Sequence, residues 1–162
     1  VYYGIGAAAT ILVSSAHSKG DHKQVRHTVG VALILAEAVA LLVLIGLILG
    51  RSYLGYIFSD DPSIIAMTAL AILPMALYQP ADALQVIYSN ALRGMEDVKH
   101  MALYACGVHL IVAPALCLLF GFGLGLEGGG IQLTAVWSAF PVSLLLLGFL
   151  IKRRFDRIST LR

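Results

Sequence analysis

Residues 63–92 read SIIAMTALAILPMALYQPADALQVIYSNAL, an apolar run in which Asp82 is the one charged residue. The run exceeds the about 20 apolar residues that a membrane-crossing helix needs. Tyr78, Asp82, Gln85 and Ser89 follow one another at intervals of four, three and four, so they share one face of a helix. Polar groups in hydrocarbon usually face a bundle interior or a water-filled cavity, where they mark ion or substrate pathways. The stretch therefore predicts a membrane helix with a functional polar face.

The composition of the whole chain is that of a membrane protein. Of the 162 residues, 59% are hydrophobic and 12% are charged, and the mean hydropathy is +0.88, whereas soluble domains carry about 25% charged residues. The predicted fold class is an all-α polytopic transmembrane helix bundle. Five apolar spans are predicted at approximately 1–16, 28–50, 63–92, 101–126 and 131–151.

The first predicted span is shorter than the others. It has no methionine at its start and no charged residue ahead of its apolar stretch. We therefore expect it to be the end of a truncated helix, and the chain to be a fragment of a longer protein.

The basic residues predict the orientation of the bundle. Lys and Arg favour cytoplasmic loops. With five alternating spans, every Lys and Arg except Arg51 falls on one side, in the loops near 17–27 and 93–100 and in the tail 152–162. We expect those loops and the C-terminus to be cytoplasmic, and the protein to lie among the lipids of the cytoplasmic membrane. The net charge of +2 is then a topology signal, and no nucleic-acid partner is expected.

An Asp followed by Pro marks the predicted start of the third span. Asp61 and Pro62 combine an N-cap with a first-turn proline, so the Asp60-Asp61 pair is interpreted as a cap rather than as an outer metal site. Pro74 and Pro80 fall inside the same span, where proline removes a backbone hydrogen bond and kinks a helix. We expect this helix to bend where its polar face begins.

Three ionisable side chains are expected at one depth. Counted from the predicted cytoplasmic ends, Asp82, Glu37 and His109 lie about nine or ten residues in, or ~14 Å deep, near the midplane of a ~30 Å core. Turned inward, they would form a protonatable, cation-attracting pocket. Alternatively, Glu37 and His109 form interhelical hydrogen bonds that hold the bundle together. We favour this structural role for these two, which lack a polar stripe, and the functional role for Asp82.

Three segments resemble a known family. Residues 78–85, YQPADALQ, and 91–97, ALRGMED, look like the helix and cytoplasmic loop in the C-terminal lobe of multidrug and toxic compound extrusion (MATE) transporters. Residues 17–21, HSKGD, resemble the loop that follows the opening helix of each lobe in that family. The resemblance covers nearly the whole chain and would make these spans the last five of twelve helices.

The resemblance implies a secondary active transporter in which two six-helix lobes alternate access. It would export cationic or amphipathic drugs and toxic compounds in exchange for Na+ or H+, with no cofactor beyond that coupling ion. By position, Asp82 matches the acidic cation ligand of this lobe, where Na+ could bind, and Tyr78 matches an aromatic residue of the same site. The expected partners are those small molecules and an N-terminal lobe of the same chain. The candidate cavity-lining residues are Gln85, Ser89, Glu37 and His109.

Other functions fit the sequence less well. A lipid-linked oligosaccharide flippase shares the general architecture, but it would be expected to carry a larger and more basic cavity than these spans provide. A non-transporting small membrane subunit would explain the short length without truncation. An enzyme is not expected, because the sequence has neither a nucleophile elbow nor an HExxH motif or comparable histidine cluster.

Overall fold

This computed structural model describes residues 1–160; Leu161 and Arg162, at the end of the predicted tail, lie outside it. Residues 1–160 form five helices joined by short loops. The helices are α1 (Tyr2–Ser18), α2 (His22–Leu54), α3 (Pro62–Gly94), α4 (Val98–Gly123) and α5 (Gly129–Thr160). A 3-10 turn, Gly55–Ile57, follows α2. Helix α4 contains two π-helical stretches, Val108–Val112 and Leu119–Gly123.

Helices α2 to α5 are each long and apolar enough to cross a membrane. Helix α1 has 17 residues, fewer than the about 20 that a span needs. With no strand in residues 1–160, the predicted all-α membrane bundle is confirmed.

The helix ends differ from the predicted spans. Helix α2 begins at His22, ahead of residue 28, and α4 ends at Gly123, short of residue 126. Helix α5 continues to Thr160 through most of the predicted tail. Hydropathy marks only the apolar part of a helix, so polar first and last turns lie beyond a predicted span. It also misses the end of α4, because Leu124 and Leu126 are apolar but lie outside the helix.

Aspartate caps set the starts of two helices. The Asp21 carboxylate accepts a hydrogen bond from the Gln24 amide at 2.9 Å, at the start of α2. Asp61 accepts one from the Ser63 amide at 2.8 Å, at the start of α3. The structure thus shows the cap that Asp61-Pro62 predicted.

Helix α3 is the central helix of the bundle and contacts α1, α2 and α5. Small residues let its neighbours come close. A Cβ atom added at Gly6 of α1 would lie 2.6 Å from Asn90 Nδ2, and one added at Gly94 of α3 would lie 2.7 Å from the Thr10 carbonyl oxygen. On α2, the buried residues are also mostly small, including Ala32, Ala36 and Ala40. Small side chains are the usual means by which membrane helices pack closely.

The outer surface of the bundle is apolar. On α2, Ile34, Leu42 and Leu49 are each at least 70% exposed, and Phe149 of α5 is 58% exposed. Apolar surface of this extent suits lipid or another membrane segment rather than water.

Candidate functional site

Asp82 lies in the packed part of α3. It is 5% exposed, and the residues on either side of it, Ala81 and Ala83, are fully buried. Among residues 1–160 it is the one buried carboxylate, and no Lys, Arg or His of that range forms an ion pair with it. A buried carboxylate without a basic partner is costly unless a proton, a cation or hydrogen-bond donors compensate its charge.

Three tyrosines lie near Asp82. Tyr78 lies one turn earlier on α3, and Tyr2 and Tyr3, from α1, lie within electrostatic range of the carboxylate. The Tyr2 hydroxyl also donates a hydrogen bond to Gln79 Oε1 at 2.9 Å. The site thus combines one negative charge with phenol groups from two helices, an arrangement suited to a proton or a monovalent cation.

The other two residues of the predicted polar face, Gln85 and Ser89, form a hydrogen bond with each other. Gln85 Nε2 donates to Ser89 Oγ at 3.0 Å, one turn along α3. Ser89 is buried and Gln85 is half-buried. Pro74 and Pro80 both lie inside α3, between its first residue, Pro62, and Asp82. Their part in helix bending and that of Gln85 and Ser89 in substrate binding stay predictions.

Glu37 and His109 are not joined to Asp82. Glu37 is half-buried on α2, and His109 is exposed in the first π-helical stretch of α4. Within residues 1–160, neither side chain makes a hydrogen bond or an ion pair. The interhelical hydrogen bonds favoured above for Glu37 and His109 are therefore wrong for the described residues, and neither side chain is bonded to Asp82 or Tyr78.

A second polar contact between α1 and α3 was missed by the sequence analysis. The Thr10 hydroxyl lies 3.0 Å from Asn90 Oδ1 and 3.1 Å from the Asn90 carbonyl oxygen, so it can donate to either. Asn90 Nδ2 donates to the Val86 carbonyl oxygen at 2.9 Å. Continuing the intervals of three and four residues past Ser89 leads to Leu92 or Arg93, so the periodicity does not reach Asn90.

An ionic cluster joins the loop after α3 to α5. Arg154 Nε donates to Asp97 Oδ2 at 2.6 Å, and His100 Nδ1 lies 2.6 Å from Asp97 Oδ1. Partial burial alone would raise the pKa of the Asp97 carboxyl, but the hydrogen bonds with Arg154 and His100 outweigh that effect and hold the pKa below its usual range. Asp97 belongs to the ALRGMED segment, so this segment is anchored to α5.

Comparison with known proteins decides the family. A family model described as MatE matches residues 1–127. The chain belongs to the MATE family. The resemblance carried by YQPADALQ, ALRGMED and HSKGD is thereby confirmed.

Named relatives from bacteria and plants match most of this MATE chain. The "Probable multidrug resistance protein NorM" of Bradyrhizobium diazoefficiens is 34% identical over 162 residues, 96% of this chain and 33% of the relative. The protein of the same name in Neisseria meningitidis serogroup B is 30% identical over 146 residues, 86% and 29% of the two chains. "Protein DETOXIFICATION 17" of Arabidopsis thaliana is 35% identical over 144 residues, 89% and 30%. The chain spans about a third of the length of these relatives.

A solved structure shares the fold. The crystal structure of the eukaryotic MATE transporter AtDTX14 superimposes with a TM-score of 0.71 at 21% sequence identity, covering 97% of this chain and 37% of that one. The likeness shows a shared helix arrangement. The family match and the four helices of membrane-crossing length make this a multi-pass membrane protein.

Proposed function

We propose that this MATE segment is the C-terminal lobe of a transporter that exports cationic or amphipathic compounds in exchange for Na+ or H+. The observation that carries the proposal is the buried carboxylate of Asp82, which has tyrosines around it and no basic partner among the described residues. Such a group needs a compensating cation or proton, and both the coupling ion and a cationic substrate can supply one.

Competition for one carboxylate gives a physical basis for exchange. When a proton or Na+ neutralises Asp82, burial of the side chain becomes less costly, which favours the tightly packed arrangement of α3. When the cation leaves, the carboxylate regains its charge and favours an arrangement in which it meets water or a cationic substrate. The two states then differ in free energy by the cost of burying one unpaired charge.

Helix α3 is suited to move between two such arrangements. It contacts the other four helices, most extensively α1, α2 and α5, so a change in its packing reaches the whole described bundle. Pro74 and Pro80 each remove a backbone hydrogen bond within this continuous helix, which lowers the cost of bending it.

The comparisons support export over the other functions considered. The NorM relatives are named multidrug resistance proteins, and membership of an extrusion family favours transport over catalysis. No described basic residue pairs with Asp82, which does not suit a flippase that handles anionic lipid-linked substrates. We further propose that the lobe works with an N-terminal lobe in the cytoplasmic membrane, with the loops near 17–27 and 93–100 in the cytoplasm.

The test is efflux of a fluorescent cationic dye from cells that express the full-length protein, under separately imposed Na+ and H+ gradients. Asp82→Asn keeps the size of the side chain and removes its charge, so we expect it to abolish ion-coupled efflux without lowering membrane expression. The gradient that drives the wild-type protein identifies the coupling ion.

Glu37→Gln is the matched control, because it neutralises a carboxylate at the same predicted depth that is not joined to Asp82. We expect a clearly smaller loss of efflux. Unchanged efflux in Asp82→Asn would contradict the proposal, and an equal loss in Glu37→Gln would give Glu37 a functional role as well.

A further inference from the structure

An apolar groove runs between α2, α3 and α5, in the half of the bundle that contains the start of α3. Its volume is about 420 Å³, and its walls include Leu47 and Leu54 from α2, Ile64 and Met75 from α3, and Trp137 from α5. None of its lining residues is charged. The export function proposed above gives this groove no role.

The dimensions of the groove suit one lipid chain. It follows α3 from Ile64 to Met75, about 16 Å at the helical rise of 1.5 Å per residue. One leaflet supplies half of the ~30 Å hydrocarbon core, or ~15 Å. A single helical turn with its side chains, about 10–12 Å across, has a volume of roughly 500 Å³. The groove is therefore as deep as a leaflet and too small to take another helix along that length.

Arg51 lies beside the groove, near the end of α2. It follows Leu47 by four residues and precedes Leu54 by three, so the three share one face of α2, and both leucines line the groove. Arg51 is half-buried and forms no ion pair within residues 1–160. Its apolar stem can lie along the groove wall while the guanidinium reaches the headgroup level. A guanidinium without a carboxylate partner is complementary to a phosphate group.

Two exposed tyrosines indicate where the headgroup level lies. Tyr53 is 75% exposed and Tyr56 is 61% exposed, on either side of the last residue of α2. Tyrosine is enriched at membrane–water interfaces. This end of α2 therefore lies near the interface, with Arg51 within one turn of it.

The carboxylates at the same end of the bundle are turned to other contacts. Asp61 accepts hydrogen bonds from both the amide and the hydroxyl of Ser63. Asp60 lines a separate pocket, together with Ser52 and Tyr56. Neither carboxylate lines the groove. A headgroup at the groove would thus meet the positive charge of Arg51, which favours a lipid with a net negative charge.

We propose that this groove binds one acyl chain of an anionic phospholipid, whose phosphate pairs with Arg51. The proposal goes beyond the export function and does not depend on it, because it needs only the membrane and the described groove. It predicts a preference for an anionic lipid over a zwitterionic lipid with the same acyl chains.

Trp137 provides the readout. It is the one tryptophan among the 162 residues, it lines the groove together with Met75, and it is 45% exposed. The full-length protein, with any tryptophan outside this segment replaced by phenylalanine, is reconstituted in phosphatidylcholine vesicles. Phosphatidylglycerol or phosphatidylcholine brominated near the chain ends is then added, because bromine quenches the fluorescence of a tryptophan that it contacts. We expect an association constant at Trp137 about fivefold higher for the anionic lipid.

Arg51→Met tests the phosphate contact, because it keeps an apolar stem and removes the charge. We expect the fivefold preference to disappear while quenching by phosphatidylcholine stays as it was. Arg26→Met is the matched control, since Arg26 is an exposed arginine at the other end of α2. It should leave the preference at Trp137 unchanged.

Ala71→Leu tests the groove itself, because Ala71 lines it and a larger side chain would fill part of it. We expect the preference to fall although Arg51 is still present. Ala69→Leu adds the same bulk on α3 but outside the groove, next to the pocket of Asp60, and should have no effect. Equal thermal unfolding of the two variants shows that the bundle is intact. A preference that persists in Ala71→Leu would mean that Arg51 only attracts anionic lipid to the surface, and would overturn the site.

Two further results would also overturn the proposal. Equal quenching of the wild-type protein by the two lipids would mean that the groove meets the membrane without selecting a lipid. No quenching by either lipid would mean that protein covers the groove, either another part of the full-length chain or a second copy. Efflux is not measured here, so a failure of the lipid site leaves the Asp82→Asn test of export unaffected.

Discussion

At the scale of single residues, a position along a helix can be counted from the sequence, whereas the direction in which the side chain faces cannot. Counting along predicted helices placed Asp82, Glu37 and His109 at one level. Whether a side chain at that level faces a given neighbour depends on how its helix is rotated about its own axis. An apolar stretch without a polar stripe gives no indication of that rotation. His109 illustrates the difficulty, because it lies in a π-helical stretch, where the wider turn shifts the faces of the residues that follow.

Tyr2 and Tyr3 were missed for a different reason. Their spacing along the chain has no relation to Asp82, and only the packing of α1 on α3 brings them to it. Tyr78 could be predicted because it shares a helix with Asp82, at a spacing of one turn. Contacts within a helix are thus readable from periodicity, and contacts between helices need the structure.

The Asp97 and Arg154 pair gives a prediction at this scale. Because the folded protein holds the pKa of Asp97 below its usual range, the contact stabilises the fold at neutral pH and is lost as the pH falls below about 4, through the lowered pKa. Arg154→Met should lower the free energy of unfolding at pH 7 by about 1–3 kcal/mol. Thermal unfolding of the detergent-purified protein at several pH values checks this.

Lys152→Met is the control for Arg154→Met. Lys152 also lies on α5, but it pairs with Asp156 of the same helix, and both side chains are more than 40% exposed. We expect a loss of only about 0.5 kcal/mol. Equal losses in the two variants, or a loss in Arg154→Met that is unchanged at pH 3, would contradict the assigned role of Asp97.

At the scale of helices, the seam between α1 and α3 determines the Asp82 site. Gly6 and Gly94 allow the two helices to approach, and Thr10 and Asn90 bond across the seam. This seam positions Tyr2 against Gln79. The hydropathy of the sequence predicted that both helices exist, but small residues are common in all five spans and do not reveal which helices pair.

Gly94→Ala should push α1 and α3 apart. The added methyl carbon would lie 2.7 Å from a backbone oxygen, that of Thr10, which cannot move without moving α1. We expect a loss of about 1–3 kcal/mol in the free energy of unfolding and a loss of efflux activity. Thermal unfolding in detergent and dye efflux measure the two effects.

Gly46→Ala is the matched substitution on α2. A Cβ atom added there meets no other atom within 4 Å, so the substitution should leave stability unchanged or raise it by up to about 1 kcal/mol through its helix propensity. If Gly94→Ala were equally harmless, the close approach of α1 and α3 would not limit stability.

At the scale of the whole molecule, the distribution of charge predicts which ends of the helices face the cytoplasm. The loop after α1 and the loop between α3 and α4 carry basic residues, whereas the loop before α3 carries Asp60 and Asp61. Ser18 and Asp60 are both exposed and lie at opposite ends of α2. They provide two reporter positions for the orientation of the lobe.

In a cysteine-free background, a membrane-impermeant maleimide added to intact cells should label Asp60→Cys and not Ser18→Cys, because only the first is expected outside. Permeabilised cells serve as the control, since both positions should then react. Labelling of Ser18→Cys in intact cells would reverse the predicted orientation.

The prolines of α3 and α5 have a mechanical consequence. Pro74 of α3 and Pro141 of α5 line a cavity of about 190 Å³ between the two helices. Farther along, Arg154 of α5 is bonded to Asp97, just after the end of α3. The two helices are therefore bonded to each other at one end, and each has a proline beside the cavity. We therefore expect the spacing between α3 and α5 to vary more beside this cavity than at the end where Arg154 and Asp97 are bonded.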